Sequence, residues 1–168
     1  LRLLSTARAL RQERVYLLIK LFTSTGLPVH ELEQVTVEAA GEGVLLLPGE
    51  AMPQRLPDCL RRELLDYARR QGISSGPIFV TRSGRPLDRS YVWKRMKQLC
   101  SRAGVAESKG FPHNLRHLFA SCFYSADRDI AHLADILGHS NINTTRIYIA
   151  TSGGEHRRQI EALNLVQP

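Results

Sequence analysis

Glycines at positions 26, 72, 104 and 138 each close a stretch in which apolar residues recur at helical spacing. Glycine adopts the left-handed conformation that ends a helix, so this punctuation cuts much of the chain into short amphipathic helices. Leu10, Val15, Leu18, Ile19 and Phe22 predict one helix over Arg8–Phe22, closed at Gly26. Pro28 suits the first turn of a shorter helix through Gln34, where the N–H it lacks would have no partner. Leu60, Leu64, Leu65 and Ala68 line a helix from near Asp58 to Gly72. Asp88 or Ser90 caps another, with Val92, Met96, Leu99, Cys100 and Ala103 on its apolar face and Gly104 at its end. Pro112–Tyr124, Asp127–Leu137, Ser140–Ile149 and Glu155–Leu165 give four more. The pattern changes over Val35–Glu38, Gly43–Leu47 and Met52–Leu56, which predict three short strands, and Ile78-Phe79-Val80 predicts a further one before the turn Arg82-Ser83-Gly84-Arg85-Pro86. The expected fold is mainly α with a small antiparallel β-sheet.

At 168 residues, 43% of them hydrophobic and 23% charged, the chain is expected to form one domain over residues 1–168, and intrinsic disorder is excluded. Its longest apolar runs, Val44–Leu47 and Val15–Ile19, are far shorter than the roughly 20 residues of a membrane span, so no membrane partner is expected. Cys59, Cys100 and Cys122 are odd in number and lack paired spacing, which argues against a disulfide framework and for a reducing, cytoplasmic setting. Cys100 and Cys122 are expected to be buried small hydrophobes, and Trp93 and Met96 to be core. A chain opening on Leu1 reads as a domain of a longer protein, with a further part preceding it.

Lys and Arg number 23 against 16 Asp and Glu, a net charge of +7 that nominates a polyanion as partner. The charge is concentrated: between Arg82 and Lys109 there are eight basic residues and two acids, Asp88 and Glu107. Arg85, Arg89, Lys94, Arg95 and Lys97 are the candidate contacts to double-stranded DNA, against the plainer reading of a solvated helix face.

The chemistry lies further on, in His113-Asn114-Leu115-Arg116-His117, then Leu137-Gly138-His139, then Thr144-Thr145-Arg146-Ile147-Tyr148. His113, Arg116 and His117 stand at i, i+3 and i+4, which places them on one helix face and predicts that they converge on one anion. Such a set suits phosphoryl transfer without a metal. An arginine fork binds the non-bridging oxygens of a phosphodiester, and imidazoles donate to them or move protons. A tyrosine phenol, with a pKa near ~10, becomes a nucleophile once a histidine takes its proton. The competing account of the histidines, a zinc site, lacks a clear fourth ligand, and Arg116 would repel the cation.

These three motifs, in this order and spacing, resemble the catalytic domain of the tyrosine recombinases, the phage-integrase family. Thr25-Gly26-Leu27 with Glu31-Leu32, the expected hairpin and the helix at Ser90 also fall where that family has corresponding elements, so the resemblance covers most of the chain. It implies the recombinase catalytic-domain fold and site-specific DNA recombination or integration for a mobile element of bacterial or phage origin. By that resemblance Tyr148 attacks a DNA phosphodiester to give a 3′-phosphotyrosyl intermediate, with no metal, ATP or other cofactor. Arg116, His113 and His139 match the phosphate-binding and acid–base positions, and His117 a supporting one. The resemblance also implies an N-terminal DNA-binding part of a longer protein, and as partners DNA and further copies of the chain, a tetramer in the synapse and a monomer when free. The segment Glu155–Leu165, after the hinge Ser152-Gly153-Gly154, matches a terminal helix exchanged between copies.

Two departures stand out. Family members usually carry Thr-Gly-x-Arg, the first of two phosphate-clamping arginines, whereas Pro28 occupies that place. They also carry a lysine in the hairpin turn, and Ala51-Met52-Pro53-Gln54-Arg55 contains none. Arg55 could supply charge there but is a poor general acid. Two further readings therefore stand beside the recombinase: a DNA-binding module of the same fold that has lost strand cleavage, and a type IB topoisomerase-like enzyme.

Overall fold

In the computed structural model α1 (Arg2–Ala9) and α2 (Glu13–Thr25) pack against each other, and a 3-10 turn (Val29–Gln34) follows. Then come α3 (Val37–Glu42), β1 (Val44–Leu45), β2 (Gln54–Arg55), α4 (Asp58–Arg70), α5 (Arg89–Ala103), a second 3-10 turn (Glu107–Lys109), α6 (Pro112–Asp127), α7 (Ile130–Ile136) and α8 (Ile142–Ile149). Residues 2–48, 53–139 and 141–149 are described, Tyr148 by its backbone alone. The expected helix over Glu155–Leu165 and its hinge lie outside them. None of the described helices is long and apolar enough to cross a membrane.

The fold class is as expected, mostly helical with one two-stranded antiparallel sheet in which Val44 pairs with Arg55 and Leu45 with Gln54. The single first helix is corrected to two. Arg11 turns left-handed (φ 52), and Gln12 N–H reaches back to the Ala7 carbonyl at 2.9 Å, closing α1 with no glycine to announce it. The strand expected over Val35–Glu38 is corrected to a helix start. Thr36 Oγ1 accepts from Ala39 N–H at 3.0 Å, so the threonine caps α3, and Ala39 to Glu42, between two of the expected strands, is helical. Ile78-Phe79-Val80 forms no strand among the described residues. Val80 bridges Pro86 singly, and the buried Ile78 and Phe79 plug the core. Pro28 precedes its helical turn instead of lying inside it, with φ −71 and ψ 144.

The main core joins α2, α4 and α5 through Leu18, Phe22, Leu64, Phe79, Met96 and Leu99, and reaches Leu115 of α6. Each such side chain contributes roughly 1.5–3 kcal/mol of burial. A second, smaller cluster gathers Ala120, Leu133 and Leu137 between α6 and α7, with Phe119 and Phe123 against it. Cys100 is buried as expected, but Cys122 is exposed on the outer side of α6. Trp93 is also corrected: 44% exposed, it lies flat on Phe111 with ring centroids 5.5 Å apart, because the α5 face it occupies turns from the core towards the start of α6.

Candidate active site

Two helix ends and one helix start meet where the motifs converge. Gly26 ends α2 with φ 65, and a Cβ there would run into the Phe119 ring, so only glycine fits both the backbone and the neighbour. Leu137 follows the last turn of α7, with Gly138 left-handed after it (φ 64). Arg116, one turn into α6 and only 9% exposed, lies between these ends. Its Nη1 donates to the Gly26 carbonyl and its Nη2 to the Leu137 carbonyl, the latter at 2.8 Å. Carbonyls at helix C-termini carry the negative end of the helix dipole and lack helical donors, so they suit a buried cation.

Arg116 Nη2 also stands 3.3 Å from His139 Nε2, while His139 Nδ1 is 2.9 Å from Thr145 Oγ1. A guanidinium only donates, so Nε2 accepts and the ring proton sits on Nδ1, donated to the fully buried Thr145. Burial first, and the charge of Arg116 second, push the His139 imidazole below its usual value. The histidine is held neutral and in one tautomer.

A cleft of about 440 Å3 opens over this group, and His113, Arg116, His139, Pro28 and Arg89 line it. His113 is exposed at the start of α6. The convergence expected of three residues holds for two. His117 does not line the cleft, since at about 100° per residue it stands beyond His113 on the side away from Arg116; its Nδ1 lies 3.3 Å from Ser121 Oγ. Tyr148 stands on α8, which packs on α6 and α7. Among the described residues no group of three His, Cys, Asp or Glu could hold a metal ion.

The basic midsection is not one face. Arg89, Trp93 and Lys97 form a stripe at i, i+4 and i+8 along α5, with Lys97 Nζ 5.3 Å over the Trp93 ring and 3.1 Å from Glu107. Lys94 is exposed to one side of this stripe. Arg95 is half-buried, bonded to Gln98 at 3.1 Å, with Nε buried and unpaired. Arg85 precedes α5 in an exposed turn whose N–H bonds Thr81 Oγ1. Arg55 faces a different hollow, beside Phe119 and Phe123. Sequence reasoning missed Thr145 as the partner of His139, Gly26 as an anchor of Arg116, and Arg89 as a wall of the cleft. Their signals were faint: the second threonine of a pair, a helix-ending glycine, and one arginine among many.

The fold is that of tyrosine recombinase catalytic domains. It matches the crystal structure of XerA recombinase with a TM-score of 0.80 and 22% identity, over 99% of this chain and 62% of that one. It matches XerH site-specific recombinase, bound to palindromic difH substrate in a post-cleavage complex, with a TM-score of 0.74 and 23% identity, over 98% of this chain and 50% of that one. Residues 50–154 match the model of the phage integrase family, and the chain belongs to that family. Among curated relatives, tyrosine recombinase XerA of Pyrococcus furiosus is 30% identical over 162 residues, which is 90% of this chain and 55% of that protein. The chain spans about half the length of the curated relatives it matches.

Proposed function

We propose that this chain is the catalytic domain of a site-specific recombinase or integrase serving a mobile element. Its substrate is double-stranded DNA, and its partners are a DNA-gripping part of a longer protein and further copies assembled as a tetramer on DNA. The observation that carries the reading is the buried pair of Arg116 and His139, opening beside His113 into one cleft. Three of the five guanidinium N–H groups are engaged by Gly26, Leu137 and His139, which leaves two for the non-bridging oxygens of a phosphodiester.

In this reading the phenolic oxygen of Tyr148 attacks phosphorus and His113 takes the phenol proton. The bond from phosphorus to the 5′ oxygen breaks, leaving a 3′-phosphotyrosyl link. The leaving 5′ oxygen takes a proton from solvent as it departs, while His139, neutral and accepting through Nε2 from Arg116, holds that guanidinium against the phosphate. A 5′ hydroxyl of a partner strand reverses the step. Arg85, Lys94, Arg95 and Lys97 bind flanking phosphates, His117 supports the helix that carries the site, and a cytoplasmic setting suits the substrate.

Incubation with a pool of random-sequence nicked duplexes, whose short cleaved strand escapes, tests this. A denaturation-resistant protein–DNA adduct is expected, and Tyr148→Phe removes it while DNA binding survives. DNA binding without adduct in the unmodified chain favours the second reading, a binding module that has lost strand cleavage. Pro28 in the cleft wall, where the family carries its first arginine, is the observation on that side.

A further inference from the structure

We infer that Arg89 supplies the second guanidinium of the cleft, in place of the arginine that Pro28 displaces. The inference rests on reading the cleft as a phosphodiester site. Pro28 and Arg89 line the same cleft as Arg116 and His113, and the 3-10 turn after Pro28 packs against α5. The side chain lost from one wall is thus met by one of the same chemistry on the adjoining wall. Arg89 also borders a smaller hollow of about 200 Å3 with Trp93, Phe111 and His113, so it stands between the cleft and the aromatic stack.

Three features suit Arg89 to that role. It is exposed, and no hydrogen bond or ion pair ties its side chain to another described residue, whereas Lys97 is paired with Glu107 and Arg95 with Gln98. The nearest acid in sequence, Asp88, is occupied in capping α5, its Oδ1 accepting from Tyr91 N–H at 2.7 Å. Arg89 is also the first residue of α5, so the positive end of the helix dipole adds to its charge in drawing an anion to that side of the cleft. A phosphate in the cleft would be that anion, shared between Arg89 and Arg116. Glu31 on the same cleft is turned to His30, its Oε1 3.5 Å from the ring, and does not cancel both guanidiniums. Arg55, the other cation that could fill the gap, lines the separate hollow.

Inorganic phosphate is the first probe, because it needs neither a DNA sequence nor cleavage. Its affinity, read from the imidazole NMR signals of His113 and His139, is expected to fall about tenfold or more in Arg89→Ala, partly recover in Arg89→Lys, and stay unchanged in Arg55→Ala. At saturating nicked duplex, adduct formation in Arg89→Ala is expected to drop about 10²–10³-fold, the scale of losing one transition-state donor. Equal phosphate affinity in Arg89→Ala and the unmodified chain, with matching thermal unfolding, overturns the proposal. So does a loss that appears in Arg55→Ala instead, or an unmodified chain whose imidazoles do not respond to phosphate. An adduct defect that vanishes at saturating DNA makes Arg89 an ordinary backbone contact and also overturns it. Phosphate binding that depends on Arg89, in a chain that never forms adduct, sinks the strand-cleavage reading and leaves the clamp standing.

Discussion

Arg116 is the only side-chain donor to the Gly26 and Leu137 carbonyls among the described residues, and in the proposed reading it also binds the phosphate. Its removal therefore acts on stability as well as on binding. Arg116→Ala leaves two buried acceptors without that donor and should cost about 2–4 kcal/mol, read as a lower urea midpoint, while Arg116→Lys recovers part of it. His139 gives a pH signature. Its folded value lies below the roughly 6.5 of an unfolded histidine, so the unfolded chain binds this proton first and stability falls as pH drops from about 6.5 towards the folded value. The urea midpoint should fall more between pH 7 and 5 in the unmodified chain than in His139→Gln; equal falls would show that His139 is not held neutral. At this scale the ordered motifs made His113, Arg116 and His139 legible, because each residue type announces its chemistry. Thr145 and the Gly26 carbonyl were not legible: Thr145 meets His139, six residues away, only once α8 packs on α7, and the Gly26 carbonyl meets Arg116 only once helices 90 residues apart in sequence come together.

Helices with explicit start and stop chemistry were read well. α5 begins after Asp88 and ends at Gly104, and α6 opens with Pro112, because caps and proline act locally and need no tertiary partner. Misreadings fell where a local device overrode an apolar pattern. Val35 and Val37 suggested alternation, yet the Thr36 hydroxyl commits the chain to α3. Thr36→Ala should cost about 0.5–2 kcal/mol in thermal or urea unfolding, and Thr36→Ser much less. At the α1–α2 break no glycine marked the left-handed turn. Arg11→Gly should therefore leave stability equal or slightly higher, whereas a drop would mean that the arginine side chain holds the turn.

Across the molecule, the large core of α2, α4 and α5 and the small cluster of α6 and α7 were not distinguishable in sequence, because both draw on the same apolar residue types. The guanidinium of Arg116 spans them, bonded to Gly26 on one side and to Leu137 on the other, 90 and 21 residues away in the chain. Phosphate affinity should accordingly vanish with the urea transition of the whole domain and not before it. Contacts between such distant segments form slowly, because the long loop between them must close first. A half-made chain leaving the ribosome thus carries Gly26 and the elements up to α4 but none of His113, Arg116, His139 or Tyr148, so the proposed site cannot assemble before α6, α7 and α8 have emerged.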